Sequence, residues 1–137
     1  MVTVVDASGV ILGRLASIVA KRLLNGEEIA IVNSEKALVT GKKDSLKEIY
    51  LGKREIGTSR KGPFFPRMPD RIVKRTVRGM LPYQTPRGRE AYKRLKCYIG
   101  IPEEFEGGKD TERIDSIKKN PLSYITVEEL SKFLGAK

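Results

Sequence analysis

Two hydrophobic patterns follow one another in the first 33 residues of this 137-residue chain. A short β-branched run over 2–5 is followed by apolar residues at helical spacing, up to the helix-stopping pair Asn25-Gly26. The helical apolar positions are Leu12, Leu15, Ala16, Val19 and Leu23. An almost continuous apolar run over 28–33 is typical of a strand covered on both faces. This order of elements predicts a parallel βαβ unit with a right-handed crossover.

The pattern is less regular between residues 37 and 69. A short third strand is predicted over 37–39, and a basic helix over 45–51. The apolar side of that helix carries Leu46, Ile49 and Tyr50. Residues 57–69 contain two glycines and three prolines, which remove backbone donors and fix φ, so this stretch predicts a loop.

Two helices that begin with proline are predicted next. Pro69 suits the first turn of a helix that runs to about Leu81, and Thr85-Pro86 predicts an N-cap and first-turn proline of a basic helix to about Leu95. The predicted inward-facing residues of the first helix are Ile72, Val73, Val77 and Met80. A strand is predicted over 97–100.

The last predicted element is a short helix near the C-terminus. Thr126 and Glu129 have the spacing of a capping box, and Ile125 and Leu130 are placed to form a hydrophobic staple. Gly135 then supplies a C-terminal stop. The chain contains neither an internal repeat nor a low-complexity tract.

The amino-acid composition excludes several classes of catalytic and metal site. Because the chain has no histidine, Ser-His and Cys-His catalytic pairs and His-ligated zinc are excluded, and neither a metal nor a cofactor is expected. The length suits one domain over 1–137. The single Cys97 is expected to be a small buried residue in a strand, which fits a reducing compartment. The sequence shows no signal peptide and no apolar run long enough for a membrane span, so we expect a soluble intracellular protein.

The charge is concentrated in one segment. The chain has 27 basic and 17 acidic residues, a net charge of +10, and the three segments 1–41, 42–96 and 97–137 carry 0, +12 and −2. A self-repelling segment of this kind favours a polyanionic partner that gives up counterions on binding. Nucleic acid is therefore the leading partner. An anionic membrane surface fits less well, because Pro and Gly interrupt the basic segment before it can form one long amphipathic helix.

Two other segments of the sequence are candidates for chemistry. The turn over 9–14 lies between a strand and a helix, where a nucleotide would bind, but its glycine spacing is one residue too short for a phosphate loop and Leu15 replaces the hydroxyl. The alternative function is therefore a small nucleotide-binding enzyme that uses Gly9 and Gly13. The structural explanation of these two glycines is that they form the turn and allow the helix to pack closely on the strand. The acidic residues of the segment 103–137 are expected to be solvated.

The basic segment combines cations, aromatic residues and glycines. Helical spacing places cations on adjoining faces of the two proline-initiated helices, where guanidinium groups can bind phosphate oxygens and stack on bases. Phe64, Phe65 and Tyr83 either stack on unpaired bases or stabilise the loops by burial. Gly79 and Gly88 would allow another backbone to approach closely.

Several motifs in this region resemble the universal large-subunit ribosomal protein thirteen family. The most specific is Val77-Arg78-Gly79-Met80-Leu81-Pro82, followed by Thr85-Pro86-Arg87-Gly88-Arg89. The resemblance covers most of 1–102, because four further stretches match family positions in order. These are Asp6-Ala7, Leu12-Gly13-Arg14-Leu15-Ala16, Val32-Asn33 and 96–100. The stretches over 59–64 and 67–70 resemble the archaeal and eukaryotic branch, as does the lack of histidine.

The resemblance implies a three-layer α/β/α domain with a small, mainly parallel four-stranded sheet. It implies a structural protein without catalytic activity that binds large-subunit ribosomal RNA, supports assembly and contacts neighbouring ribosomal proteins in the cytoplasm. Neither a small-molecule substrate nor a membrane is implied, and an obligate homo-oligomer is not expected. Met80 and Leu81 would lie in the core, and Gly79 and Pro82 would shape the turn. The residues predicted to contact RNA are Arg14, Lys42, Lys43, Arg60, Lys61, Arg67, Arg71, Lys74, Arg75, Arg78, Gly79, Arg87, Arg89 and Lys93.

Overall fold

A computed structural model of the chain describes residues 2–55, 65–105, 111–113 and 123–135. Within them it contains five α-helices and six strands. The strands are β1 (Val2–Asp6), β2 (Glu28–Val32), β3 (Leu38–Thr40), β4 (Leu95–Cys97), β5 (Thr111–Arg113) and β6 (Tyr124–Thr126). The helices are α1 (Leu12–Leu24), α2 (Lys43–Glu55), α3 (Pro69–Gly79), α4 (Pro86–Lys93) and α5 (Val127–Phe133).

The main sheet is parallel, with the strand order β4-β2-β1-β5. Val2 pairs with Glu28 at one end of the β1–β2 ladder and Asp6 with Val32 at the other. β3 and β6 form a separate two-stranded antiparallel ladder in which Val39 pairs with Ile125. The prediction of a mixed α/β fold with a small, mainly parallel sheet is confirmed.

The N-terminal unit follows the predicted pattern closely. The five apolar positions of α1 that set its period are all buried, and Asn25 caps the helix before Gly26, whose φ of 99° only glycine adopts without strain. Ile29 and Ile31 of β2 lie in the main core cluster with Leu15. Ala30 and Val32, on the opposite face of the strand, are also buried, which is why this strand is apolar throughout.

Three sequence predictions within the basic segment are wrong in detail. The strand after α4 is 95–97, two residues earlier than predicted. Met80 is 43% exposed, because α3 ends at Gly79 and Met80 is its C-cap, whereas Leu81 is buried as expected. Ile49 is 54% exposed, since Leu46 and Tyr50, one helical turn apart, form the side of α2 that packs on the core.

The C-terminal helix begins where the capping pattern indicates. The Thr126 hydroxyl accepts a hydrogen bond from the Glu129 amide at 3.2 Å, and Ile125 and Leu130 are both fully buried. Gly135 has a φ of 105° after the helix end. The same Ile125 and Thr126 belong to strand β6, which the sequence pattern did not predict.

Cys97 lies at the end of β4 and packs against the core, so its predicted place in a strand is confirmed, although the residue is only partly buried. Part of the residue is accessible, but its thiol is surrounded by protein. This burial raises the pKa of the Cys97 thiol to about 12, with Lys74 lowering it and Asp70 raising it by smaller amounts.

Cys97 is therefore expected to react slowly with iodoacetamide. A rise in pKa from 9.0 to about 12 removes most of the thiolate at neutral pH, so we expect alkylation at least ~100-fold slower than in chain unfolded by guanidinium. The rate should still be rising with pH at about pH 10. Intact-mass spectrometry of timed samples measures both rates, and equal rates in folded and unfolded chain would contradict the buried thiol.

Candidate nucleic-acid interface

Arginines line the solvent side of α3. The helix buries Ile72, Val73 and Val77, so positions on the opposite side of the helix face solvent. Arg71, Arg75 and Arg78 follow at i, i+4 and i+7 and form one stripe; the first two are exposed and Arg78 is half-buried. Pro69 in the first turn begins the helix as predicted.

A tight turn over 80–85 joins α3 to α4 and is closed by Thr85. The Thr85 hydroxyl donates to the Pro82 carbonyl at 2.7 Å and accepts from the Gly88 amide at 3.3 Å, so one side chain fixes the turn and caps α4. Gly88 is buried directly beneath that carbonyl: a Cβ added to it would lie 1.9 Å from the Pro82 oxygen. The close approach expected at Gly88 is therefore to its own chain.

Gly79, in contrast, lies in open space. It is exposed, and a Cβ added there would meet nothing within 4 Å. Its φ is not positive, so the turn does not require glycine at this position. The absence of a side chain leaves the backbone at the end of the arginine stripe accessible.

Cations cover the aromatic rings beside this turn. The Arg78 guanidinium lies 4.2 Å from the Tyr83 ring centroid, and the Lys74 Nζ lies 4.9 Å from that of Tyr92. The two rings meet edge to face, 5.3 Å apart. Burial raises the pKa of the Tyr92 hydroxyl, while the nearby Arg78 and Arg75 charges oppose that rise. Arg89 Nε donates to the Tyr83 carbonyl at 3.2 Å, so Arg89 also lies at this turn.

The turn and the stripe line an open cavity of about 450 Å³. Arg75, Arg78 and Gly79 line one side, and Tyr83, Gln84 and Thr85 line the other. Its described lining includes two cations and no carboxylate. The cavity thus combines positive charge with an aromatic ring and a polar amide.

Lys42, Lys43 and Arg67 lie in a second region, near α5. Lys43 Nζ is 3.5 Å from a Glu129 carboxylate oxygen in an exposed ion pair, and Lys42, just before α2, is exposed. Arg67 Nη1 lies 3.6 Å from the position of a Cβ on Gly135, at the end of α5. The contacts of this region involve α2 and α5, whereas those of the first region involve the α3–α4 turn.

Aromatic residues in the second region are also covered by lysines. Lys53 Nζ lies 4.6 Å from the Tyr50 ring centroid and 5.3 Å from that of Phe65, and Lys47 Nζ lies 5.3 Å from that of Phe133. The rings of Tyr50 and Phe65 meet edge to face. Phe65 is half-buried against the core, which supports the burial alternative for it.

The remaining predicted residues are scattered or undescribed. Arg14 is exposed in the first turn of α1, and Arg87 is exposed on α4. Lys93 lines a second cavity of about 400 Å³ together with Lys96, Glu28 and Glu104, among other residues, so cations and carboxylates are mixed there. Arg60, Lys61 and Phe64 lie outside the described residues.

Arg94, the C-cap of α4, is a structural arginine. Its Nη2 donates to the Leu23 carbonyl at the end of α1 at 2.7 Å, and its Nε is buried. The residues that sequence reasoning missed are Gln84 and Thr85 at the first cavity and Lys47 and Lys53 on α2. The N-cap pattern Thr85-Pro86 indicated where the turn ends, but no sequence pattern indicated a role for Gln84.

The geometry over 9–14 gives the nucleotide-binding alternative no support. Gly9 has a φ of 70° in the turn, but Gly13 is exposed with nothing within 4 Å of an added Cβ, so it does not mediate close packing. At the end of β2, where a dinucleotide site needs a carboxylate, Asn33 donates to the Asp6 carboxylate at 3.1 Å. That buried contact joins the ends of two strands.

Two features are absent from the described ranges of the chain. No helix in them is both long enough and apolar enough to cross a membrane. No group of three or more His, Cys, Asp or Glu side chains there has the arrangement needed to hold a metal ion.

The fold and surface define a class: a small basic α/β protein whose exposed cations suit a polyanionic partner. The family model for ribosomal protein L13 matches residues 1–104. The large ribosomal subunit protein uL13 of Archaeoglobus fulgidus is 53% identical over 137 residues, which cover 97% of this chain and 87% of the relative. That of Methanocaldococcus jannaschii is 54% identical over 139 residues, covering 98% of each.

The chain therefore belongs to the ribosomal protein L13 family. The resemblance predicted from the turn over 77–89 is confirmed, and these two relatives are archaeal, in agreement with the predicted branch. The 53% and 54% identities extend beyond residue 104, so the similarity includes the acidic C-terminal segment.

Proposed function

We propose that this chain is a structural constituent of the large ribosomal subunit that binds large-subunit ribosomal RNA and supports its assembly. One observation carries the RNA contact: an exposed arginine stripe on α3 that leads into a cation-lined cavity, within a segment of charge +12. Family membership supports a structural role rather than an enzymatic one. The two relatives named above are large ribosomal subunit proteins.

The proposed interface has its centre at the α3–α4 turn. Arg71, Arg75 and Arg78 supply guanidinium groups, which bind phosphate oxygens in pairs and are always charged. The second region, with Lys42, Lys43 and Arg67, supplies further cations for RNA beside α5. The other residues proposed to contact RNA are Arg14, Arg60, Lys61, Lys74, Gly79, Arg87, Arg89 and Lys93. Neighbouring ribosomal proteins and a cytoplasmic ribosome are the proposed partners and location.

The proposed scaffold is one domain over 1–137 with three α/β/α layers around the four-stranded sheet. Burial of both faces of β2 supports it, because Ile29 and Ile31 on one face and Ala30 and Val32 on the other are each at most 1% exposed. A strand at the surface of a two-layer fold would have one exposed face.

Salt dependence tests the RNA-binding proposal. Each neutralised duplex phosphate contributes about −0.9 to the slope of log affinity against log salt concentration, so several arginine contacts predict a slope of about −3 or steeper. Fluorescence titration of a large-subunit rRNA fragment between ~50 and ~200 mM salt measures it. An affinity indifferent to salt would rule out the phosphate-contact mechanism.

A further inference from the structure

We propose that the cavity at the α3–α4 turn binds a single unpaired nucleotide, with its base held in the cavity and its phosphate on Arg75. This inference rests on the proposed function and names the part of the RNA that this surface takes. The cavity of about 450 Å³ falls in the range of roughly 300–1,000 Å³ in which proteins enclose small ligands.

The chemistry of the walls suits a base better than a phosphate alone. Leu81, Pro82 and Tyr83 provide an apolar wall, which gives a hydrated phosphate nothing to bind. The Arg78 guanidinium lies over the Tyr83 ring, 4.2 Å from its centroid, so a cation and an aromatic ring meet at the cavity wall. Proteins bind splayed RNA bases by stacking them on aromatic rings and guanidinium planes of this kind.

Gln84 supplies a group that can recognise the edge of a base. Its side chain is exposed at the cavity, and an amide offers both a donor and an acceptor. The ring of Tyr83 is positioned from behind by Tyr92, and the turn is fixed by the Thr85 hydroxyl. The site is therefore preformed rather than assembled by the ligand.

Gly79 leaves the entrance of the cavity open to a ligand, because it has no side chain. Because nothing lies within 4 Å of an added Cβ, a larger side chain there would extend into open space without disturbing the fold. A leucine at this position would occupy the entrance to the cavity. Gly52 in α2 is a matched control, since it is also a helical glycine with nothing within 4 Å of an added Cβ.

Nuclear magnetic resonance titration of the intact labelled chain tests the inference. AMP, GMP, CMP and UMP are each expected to shift the Gln84 side-chain amide and the Gly79 and Tyr83 backbone amides, whereas ribose 5-phosphate should bind about tenfold more weakly, since stacking adds ~1–3 kcal/mol per base. Gly79→Leu should weaken mononucleotide binding at least ~10-fold, and Gly52→Leu should leave it unchanged.

The outcomes separate the cavity from the RNA-binding function. Equal binding of ribose 5-phosphate and the mononucleotides, or no shift of Gln84 up to ~20 mM mononucleotide, would overturn the nucleotide site, while a salt-dependent rRNA affinity would still support the proposed function. Mononucleotide binding that Gly79→Leu leaves intact would place the ligand elsewhere and also overturn it. If rRNA binding proves independent of salt, the proposed function itself fails.

Discussion

Replacing Gly88 with alanine is expected to destabilise the folded chain severely. The new Cβ would lie 1.9 Å from the Pro82 carbonyl oxygen, 2.3 Å from its carbon and 2.8 Å from the Tyr83 nitrogen. All three atoms belong to the backbone, so no flexible side chain can move away and α4 must separate from the turn. We expect a loss of about 3 kcal/mol or more in the free energy of unfolding, the upper end for overpacking.

Thermal unfolding followed by circular dichroism measures this loss, as a fall in Tm on the order of 10 °C. Gly79→Ala is the control, because its Cβ meets nothing within 4 Å and alanine has the higher helix propensity. Its Tm should be equal to or slightly above that of the unmodified chain. A Gly88→Ala variant as stable as Gly79→Ala would disprove the close packing of α4 under the turn.

The double substitution Arg75→Gln, Arg78→Gln is expected to reduce rRNA affinity about 100-fold. Each arginine removed takes away a charge-assisted hydrogen bond to phosphate worth about 1.5 kcal/mol, and two such losses amount to about 3 kcal/mol. The slope of log affinity against log salt should become shallower by about 2, one unit for each phosphate contact. Fluorescence titration at several salt concentrations gives both quantities.

The fold should tolerate this change. Arg75 is exposed, and Arg78 contributes mainly its contact with the Tyr83 ring, so we expect a loss of stability of about 1 kcal/mol. Lys21→Gln, Lys36→Gln is the matched control, because it removes the same charge from two exposed positions outside the basic segment. If the control lost as much affinity as the arginine variant, net charge rather than the α3 stripe would account for binding.

The sequence predicted the helices better than it predicted the strands. α1, α3 and α4 have local signals, namely apolar periodicity, a first-turn proline or a capping hydroxyl, and each begins at or within a residue of the predicted position. β5 and β6 have three residues each and no clear alternation. Their formation depends on pairing with β1 and β3, which are distant in the sequence, so no local pattern predicts these strands.

The same distinction applies to the candidate site. Helical spacing was enough to predict the stripe of Arg71, Arg75 and Arg78. The roles of Gly88 and Arg94 could not be predicted, because each is defined by a contact with another element: Gly88 with the Pro82 carbonyl and Arg94 with the Leu23 carbonyl. The lysines over Phe65 and Phe133 likewise depend on how α2 is placed against other elements, whereas Lys53 contacts Tyr50 within α2 itself.

The position of β1 in the sheet sets the order in which the fold can close during synthesis. β1 leaves the ribosome before both of its partners: β2 follows at Glu28–Val32, but the partner at its other edge is 111–113. Until that segment is made, one edge of β1 has unpaired backbone groups, and such an edge is prone to pair with other chains. The nascent chain thus carries an open strand edge during the whole synthesis of its basic segment, and the ladder at that edge is completed only when residues 111–113 emerge.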